Sequence, residues 1–253
     1  MSEKKHAELK AIFWREFSNY FNTPIGYIFL GIFVIVTNFL FFYINNFWNI
    51  GIATLDGFFN WIRITYIFFI PAITMRLWAE EKKSGTMEVL FTLPVTDGQA
   101  ILGKFLSAVA FLAVSLAATF VLPLTLEYVS DPDWMLIIGG YFGSLLLGSS
   151  YIAMGLFISW KSGDQIVAFL VGMLACLFFF LLGYQPVLQF FGPFKKILAY
   201  LSVSWHFDSL SRGLFDTRDF LYFATFILFF LHLNARSIEK WRGEQEDLKK
   251  EVA

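Results

Sequence analysis

Residues 76–104, RLWAEEKKSGTMEVLFTLPVTDGQAILGK, form a charged, turn-rich segment between two hydrophobic runs that are each long enough to cross a lipid bilayer. The chain has 253 residues, of which 57% are hydrophobic and only 15% are charged. Soluble domains carry about 25% charged residues. These features predict an all-α polytopic membrane protein in which residues 76–104 form an excursion into the aqueous phase.

Six hydrophobic runs approach the length of about 20 residues that a helix needs to cross the hydrocarbon core. They lie at residues 25–44, 58–75, 100–122, 134–158, 166–183 and 219–235. The second and sixth runs are short or interrupted. No internal repeat divides the chain, so we expect residues 1–253 to form a single membrane domain.

The distribution of Lys and Arg predicts the orientation, because cytoplasmic loops of membrane proteins are enriched in these residues. Of the 19 Lys and Arg residues, fourteen lie in the N-terminal arm, residues 76–104, the turn at 160–165 and the C-terminal tail. The others belong to the opposite face or its vicinity: Arg63, Lys195, Lys196, Arg212 and Arg218. Both termini and the 76–104 segment are therefore expected on the cytoplasmic side.

Capping patterns support these boundaries. Capping boxes that begin at Thr96 and Ser162 predict the starts of the third and fifth spans. Asp131-Pro132 predicts an N-cap and a proline at the first helical position of the fourth span.

The N-terminal arm, residues 1–24, has the pattern of a helix that lies in the headgroup region of a membrane. Apolar side chains recur at spacings of three and four, and charged residues occupy the other faces. The apolar positions include Leu9, Phe13 and Phe17. Thr23-Pro24 ends this interfacial helix before the first span. The pattern fits a simple membrane anchor, and it equally fits a lever that contacts a cytosolic partner.

The cytoplasmic segment at residues 76–98 begins as an extension of the second span. Arg76 and Glu80 are spaced for an i,i+4 ion pair on this extension. Ser84-Gly85 is expected to break it, because glycine readily adopts the backbone conformation that ends a helix.

A second, short helix is predicted after this break. Ser84 or Thr86 would cap it, and Glu88 in its first turn is favoured by the helix dipole. Residues 89–93 give it an apolar side, and Pro94 ends it. An ordinary solvated loop is the alternative, but an apolar side on a cytosolic excursion favours a docking surface for another protein.

Two other regions carry packing signals. Gly140, Ser144 and Gly148 lie four residues apart in the fourth span, a spacing that lets helix backbones approach closely. Packing inside the subunit is favoured here over a seam between two subunits. Residues 184–218 form a long and apolar connection, which predicts short re-entrant or interfacial helices at the outer face.

Ionisable residues inside the predicted spans are few, and each is a candidate functional group. Arg63 lies near the outer end of the second span, and its guanidinium is expected to snorkel outward, towards Asp56. His232 is expected to be a satisfied packing residue. His206 and Asp208 are too isolated in the sequence to predict a metal site.

Motifs for catalysis or cofactor binding are missing from the sequence. It contains no phosphate loop, no H-E-x-x-H and no G-x-S-x-G, so no catalytic residue and no bound cofactor or metal is predicted on this chain. Its single cysteine, Cys176, allows no intrachain disulfide. A net charge of −1 gives no reason to expect a nucleic-acid partner.

Three stretches together resemble the permease subunits of type-2 ABC transporters, in particular the gliding-motility-type permeases. They are the end of the arm with the start of the first span (YFNTPIGY, 20–27), residues 75–104 and residues 206–242. The pattern Glu-Glu-x-x-Ser-Gly-Thr-x-Glu-x-Leu…Pro…Gly-Lys is the most specific part. The resemblance implies six spans, a cytoplasmic interface helix, a coupling helix between spans two and three, and short outer helices between spans five and six.

The resemblance also implies partners and roles. Two permease subunits would pair as a homo- or heterodimer in the plasma (inner) membrane of a prokaryote, each docking a separate ATP-binding subunit that holds ATP and Mg. The residues that it implies for the coupling element are Glu80, Glu81, Gly85, Thr86 and Glu88, with Pro94 and Lys104 closing the element.

The expected function is therefore the permease subunit of an ATP-driven exporter, with no enzymatic activity of its own. The alternative is a membrane anchor or scaffold that recruits a cytosolic ATPase complex without moving a solute. An intramembrane enzyme is disfavoured, because no acid, base and nucleophile converge in the sequence.

Overall fold

A computed structural model describes residues 2–45, 54–87, 95–129 and 132–252 of the chain. This described part is all-helical and contains no strand. The α-helices, in chain order, are α1 Ser2–Asn22, α2 Pro24–Phe39, α3 Asp56–Thr74, α4 Arg76–Ser84, α5 Asp97–Ala118, α6 Val121–Val129, α7 Trp134–Ser162, α8 Gln165–Leu181, α9 Gln185–Phe190, α10 Lys195–Leu201, α11 Val203–Ser211 and α12 Thr217–Val252. A π-helical turn, Leu40–Ile44, extends α2, and a 3-10 turn, Gly192–Phe194, precedes α10.

Within the described residues, five helical stretches are long and apolar enough to cross a membrane: Pro24–Ile44, Asp56–Ser84, Asp97–Tyr128, Trp134–Ser162 and Thr217–Gln245. The predicted all-α, multi-pass membrane class is therefore confirmed. The fifth predicted run corresponds to α8, a shorter apolar helix of 17 residues. The third predicted run is longer than expected, because α6 continues it beyond a turn at residues 119–120.

Helix α7 is the centre of the bundle. It packs against α3, α4, α5, α8, α11 and α12. In the most apolar 18-residue stretch of α7, 72% of the residues are buried. The corresponding shares are 22% for the α2 stretch and 22% for α12. Its small residues make this possible: a Cβ added at Gly140 would lie 2.2 Å from the ring of Phe59. The prediction that these small residues pack inside the subunit is confirmed.

The rod formed by α3 and α4 bends at Met75. Pro71 lies in the last turns of α3, where a proline lacks the backbone N–H that the helix would use. The Met75 N–H still donates to the Pro71 carbonyl at 2.9 Å. Gly85 then ends α4 with a φ of 71°, the left-handed conformation that glycine adopts without steric penalty. The predicted break at Ser84-Gly85 is confirmed.

Helix α5 begins with the predicted capping box. The Gln99 N–H donates to the Thr96 hydroxyl at 3.4 Å, and the Thr96 N–H donates to the Gln99 side chain at 2.8 Å. The prediction of a box starting at Ser162 is wrong. Ser162 is the last residue of α7 and donates its hydroxyl to the Ile158 carbonyl, while Asp164 caps α8 by accepting two backbone N–H groups.

The predicted N-cap at Asp131 is also wrong. Asp131 lies outside the described residues, and α7 is capped by Asp133. The Asp133 carboxylate accepts the N–H groups of Met135 and Leu136 at 2.9 and 3.4 Å. An aspartate directly before the first helical residue reaches these two N–H groups, which explains why the nearer acid takes the role.

Short helices fill the connection between α8 and α12, as predicted for residues 184–218. They are α9, the 3-10 turn, α10 and α11. Helix α11 packs against α7, α8 and α12. It therefore belongs to the core of the bundle, and only α9 and α10 remain peripheral.

Candidate functional site

The structure brings two of the predicted coupling residues together: Glu81 of α4 and Lys104 of α5 lie 2.9 Å apart. The predicted coupling residues with described positions are Glu80, Glu81, Gly85, Thr86 and Lys104. The remaining two lie outside the described residues: Glu88 and Pro94. The apolar residues 89–93 of the predicted docking helix lie there too.

Four side chains from three helices form an ion cluster at this place. It consists of Arg15 and Glu16 of α1, Glu81 of α4 and Lys104 of α5. The Lys104 ammonium lies 3.1 Å from the Glu16 carboxylate and 2.9 Å from the Glu81 carboxylate. The Arg15 guanidinium lies 2.5 Å from Glu16 and 3.1 Å from Glu81. Each acid thus contacts both bases.

The ion cluster is largely removed from solvent. The side chain of Lys104 is 1% exposed, and those of Glu16 and Glu81 are 11% and 16% exposed. The Lys104 ammonium also lies 4.8 Å from the centre of the Trp78 ring, a favourable cation–π distance. Buried charges are costly unless they are paired, and here two positive charges meet two negative ones.

The charges of α1 respond to this arrangement. Burial opposes the ionisation of Glu16, but Lys104 and Arg15 outweigh this effect and hold the pKa of its carboxyl below the usual value of 4.5. Burial likewise opposes the charge on Arg15, yet its two acidic neighbours raise the pKa of the guanidinium. Both shifts favour the charged forms of Glu16 and Arg15.

Glu80 is separate from the ion cluster. It pairs with Arg76 at 2.9 Å on the exposed side of α4, as the i,i+4 spacing predicts. An exposed pair of this kind contributes little to stability. The two adjacent acids of the motif thus have different environments, and only Glu81 connects α4 to other helices.

A single hydroxyl group fastens α4 to the central helix. Ser159 of α7 accepts the backbone N–H groups of Trp78 and Ala79 at 3.1 and 3.2 Å and donates to the Met75 carbonyl at 3.0 Å. Ser159 thus joins α7 to the backbone around the junction of α3 and α4. Nearby, the Lys82 ammonium lies 4.1 Å from the centre of the Trp160 ring and donates to the Trp160 carbonyl.

The start of α5 is also tied to both ends of the chain. Arg242 of α12 lies 2.9 Å from the Asp97 carboxylate. The Gln99 amide donates to Glu8 of α1 at 3.1 Å. These contacts place the interfacial helix, the C-terminal helix and the coupling region together at one end of the bundle.

The interfacial helix packs against the rest of the protein, in addition to presenting an apolar side. Its predicted apolar residues Leu9, Phe13 and Phe17 are half-buried, and Ile12 is buried against α5. A Cβ added at Gly103 would lie 2.5 Å from Ile12, so the glycine lets the two helices approach closely. The contacts of α1 thus go beyond those of a simple anchor.

Arg63 has a different partner from the one expected. Its guanidinium lies 2.5 Å from Asp208 of α11, hydrogen-bonds to Asn60 and lies 5.1 Å from the centre of the Phe207 ring. The prediction that it reaches towards Asp56 is wrong. Seven residues separate the two along α3, which is about 10 Å of helix rise.

The expectation for His232 is wrong as well. It is exposed on α12, and its Nε2 accepts a hydrogen bond from the Arg236 side chain one turn later, at 3.4 Å. His206, by contrast, is buried. Its Nδ1 lies 2.6 Å from the Asp219 carboxylate, and its Nε2 lies 3.0 Å from the Tyr200 carbonyl.

Sequence reasoning missed three positions that connect the helices at this site: Arg15, Glu16 and Ser159. Arg15 and Glu16 were only counted among the charged residues on the other faces of the interfacial helix, and Ser159 carried no signal. The available hint was the isolated Lys104 inside an apolar run, because a buried cation requires an acidic partner. Nothing in the sequence identifies that partner.

Comparison with known protein families identifies a match over most of the chain. Residues 18–213 match the family described as ABC-2 family transporter protein, which is more than half of the chain. No curated protein matches the sequence.

Proposed function

Because the chain belongs to the ABC-2 family of transporter proteins, we propose that it is the permease subunit of an ATP-driven exporter. The family makes it a membrane component of an ABC transporter and implies association with an ABC ATP-binding subunit. We also propose that the transporter is an exporter of the gliding-motility-type branch. The sequence motif in residues 75–104 supports this proposal.

The ion cluster is the observation that carries this proposal. It joins α4, which precedes residues 88–94 in the chain, to α1 and α5 through three largely buried charges and the more exposed Arg15. A force applied to α4 would therefore reach two other helices without a flexible link. Such a connection is what an ATP-driven permease needs between its docking segment and its spans.

We further propose six membrane crossings: the five long helical stretches and the shorter helix α8. A helix of 17 residues is at the lower limit of the lengths that cross a bilayer. An even number of crossings places both termini on one side. The excess of Lys and Arg at the end of the bundle that holds the ion cluster supports the cytoplasmic side of a prokaryotic inner membrane.

In the proposed mechanism, ATP and Mg are held by the partner subunits, and closure of those subunits on ATP presses on residues 76–98. Helix α4 then moves together with α1 and α5 through the ion cluster, and with α7 through Ser159. A second permease subunit, identical or different, completes the path. Rocking of the two subunits as rigid bodies alternates its inner and outer openings.

Isolation of the intact complex tests the partner assignment. The tagged chain is purified from its native membrane in a mild detergent, and mass spectrometry of the complex should find an ATP-binding subunit and two permease subunits. Repeated recovery of the chain with no ATPase would overturn the proposal.

Two adjacent acids provide a matched test of coupling. In the isolated complex, Glu81→Gln should change ATP hydrolysis several-fold, because it breaks a buried link between α4 and the other helices. Glu80→Gln removes only an exposed pair and should leave the rate within about twofold. Equal effects of the two substitutions would contradict the role of the ion cluster. An unchanged transport rate with Glu81→Gln would likewise show that the ion cluster does not couple ATP hydrolysis to transport.

A further inference from the structure

A cavity of about 360 Å³ opens among α9–α12, at the end of the bundle opposite the ion cluster. This volume lies in the range of small-molecule sites. The cavity is bordered by the side chains of Tyr200 and Trp205, which are about half exposed. Its other lining groups are mostly charged, and their pairing determines what it can bind.

Two of the acids in the lining are already neutralised. Asp208 pairs with Arg63 at 2.5 Å. Asp219 pairs with His206, whose Nε2 must carry a proton because it faces the Tyr200 carbonyl, which only accepts. The 2.6 Å contact between His206 Nδ1 and Asp219 requires one more proton between them. Wherever that proton resides, the His206–Asp219 pair has a net charge of zero.

Two arginines then dominate the charge of the cavity. Arg212 and Arg218 line it, both are exposed, and neither pairs with an acid in the described part of the chain. Asp216 is the one acid of the lining left to oppose them. It already accepts the backbone N–H of Arg218 at 2.9 Å. The cavity therefore carries a net positive charge that suits an anion.

A second feature of the cavity favours a ligand that carries a hydrogen-bond donor. The Oδ2 atom of Asp219 is buried and has no hydrogen-bond partner among the described residues. Asp219 as a whole is 6% exposed and lines the cavity. A buried carboxylate oxygen without a donor is costly, so a ligand that brings an ammonium or hydroxyl group would gain from this contact.

We propose that this cavity binds the headgroup of a phospholipid. The phosphate lies between Arg212 and Arg218, whose planar guanidinium groups suit phosphate oxygens, and the ammonium or hydroxyl end of the headgroup donates to Asp219. The surrounding surface favours a membrane lipid over a soluble phosphate ester. Large apolar side chains are exposed in the same connection between α8 and α12, with Leu214 in the cavity lining itself: Phe190, Phe191, Leu214 and Phe215. Trp and Tyr at the border are typical of the membrane–water interface.

Binding of a short-chain phosphatidylethanolamine to the purified complex tests the proposal. Calorimetry or native mass spectrometry should show that the combined substitutions Arg212→Gln and Arg218→Gln weaken binding by at least about tenfold, the size expected for lost charge-assisted hydrogen bonds. Asp219→Asn should weaken it less. Lys195→Gln, an exposed cation outside the lining, serves as the control and should bind as the wild type does.

Two further ligands identify the source of the phosphate. Glycerophosphoethanolamine, the headgroup without acyl chains, should compete weakly, and inorganic phosphate more weakly still. Equal affinity of the complex for the soluble ester and the lipid would overturn the membrane source. Unchanged lipid binding by the double arginine variant would overturn the site itself. Neither result depends on the ATP-binding subunit, so this proposal can fail while the proposed function stands.

Discussion

Lys104 is the most deeply buried member of the ion cluster, and both acids depend on it. Its replacement by methionine keeps the length of the side chain but removes the charge, so Glu16 and Glu81 are left with Arg15 alone. Breaking a buried pair by removing one partner costs about 3–5 kcal/mol. We therefore expect Lys104→Met to lower the unfolding temperature of the purified complex by several degrees.

Lys83 provides the control for this substitution, because it is a lysine of the same region that is exposed. Lys83→Met should change the free energy of unfolding by no more than about 0.5 kcal/mol. Adding Glu81→Leu to Lys104→Met should restore part of the lost stability, since one acid, Glu16, then pairs with one base, Arg15. If Lys104→Met were as stable as the wild type, the four charges would not form a buried network in the protein.

The pH dependence of stability tests the same contacts through Glu16. Its pKa is lower in the folded protein than the usual 4.5, so its contribution to stability is fully present above about pH 4.5 and is lost as the pH falls through the lowered pKa. The difference in unfolding temperature between the wild type and Glu16→Gln should stay constant from about pH 8 to about pH 5.5 and then narrow on further acidification. A difference that changes near neutral pH would contradict this assignment.

At the residue scale, the sequence predicted local partners well and distant ones poorly. The Arg76–Glu80 pair and the Thr96 cap follow from spacing within one turn of helix. Arg63 and Asp208 are 145 positions apart, and only the packing of α11 against the bundle brings them together. No local pattern contains that information.

At the scale of helices, the bend between α3 and α4 depends on Ser159. Ser159→Ala removes one donor and one acceptor that serve three backbone groups, and buried groups left unpaired cost about 1–3 kcal/mol each. We expect a clear drop in the unfolding temperature, and altered ATP hydrolysis in the complex because the hydrogen bonds of Ser159 between α4 and α7 are lost.

Ser162→Ala is the matched control, three residues later in the same helix. Its hydroxyl donates only to a carbonyl of its own helix, which already belongs to the helical ladder, so little change is expected. Equal losses in the two variants would show that the contact of Ser159 with α4 has no special importance.

The existence of the long helices was predictable, because a long apolar run indicates a helix whatever it packs against. The all-helical class, the interfacial helix and the short helices between α8 and α12 all follow from composition and length. Their exact ends do not, since Asp133 and Asp164 compete with nearby residues for the same N–H groups. The continuation of α5 into α6 was also missed, because the predicted run ends at residue 122, directly before Pro123.

For the whole molecule, the proposed orientation is open to a direct chemical test. Cys176 is the single cysteine and is buried, so a Cys176→Ala background leaves no reactive thiol. A cysteine introduced at exposed Thr86 should be protected from a membrane-impermeant maleimide in intact cells. One introduced at Leu214, which is 62% exposed near the opposite end, should be labelled.

Permeabilised cells supply the control, because both positions should then react. Labelling of Thr86→Cys in sealed cells, with Leu214→Cys protected, would reverse the orientation and remove the cytosolic partner from the proposed mechanism. Labelling of both positions in sealed cells would instead contradict the number of crossings between them.

The burial of α7 has a consequence for how the sequence of this protein can change. A helix surrounded by six others offers almost no position where a larger side chain fits, whereas α2 and α12 turn most of their surface outward. Neutral substitutions should therefore accumulate on the outer two helices and be purged from α7. Related chains that differ widely elsewhere should keep its small residues almost intact.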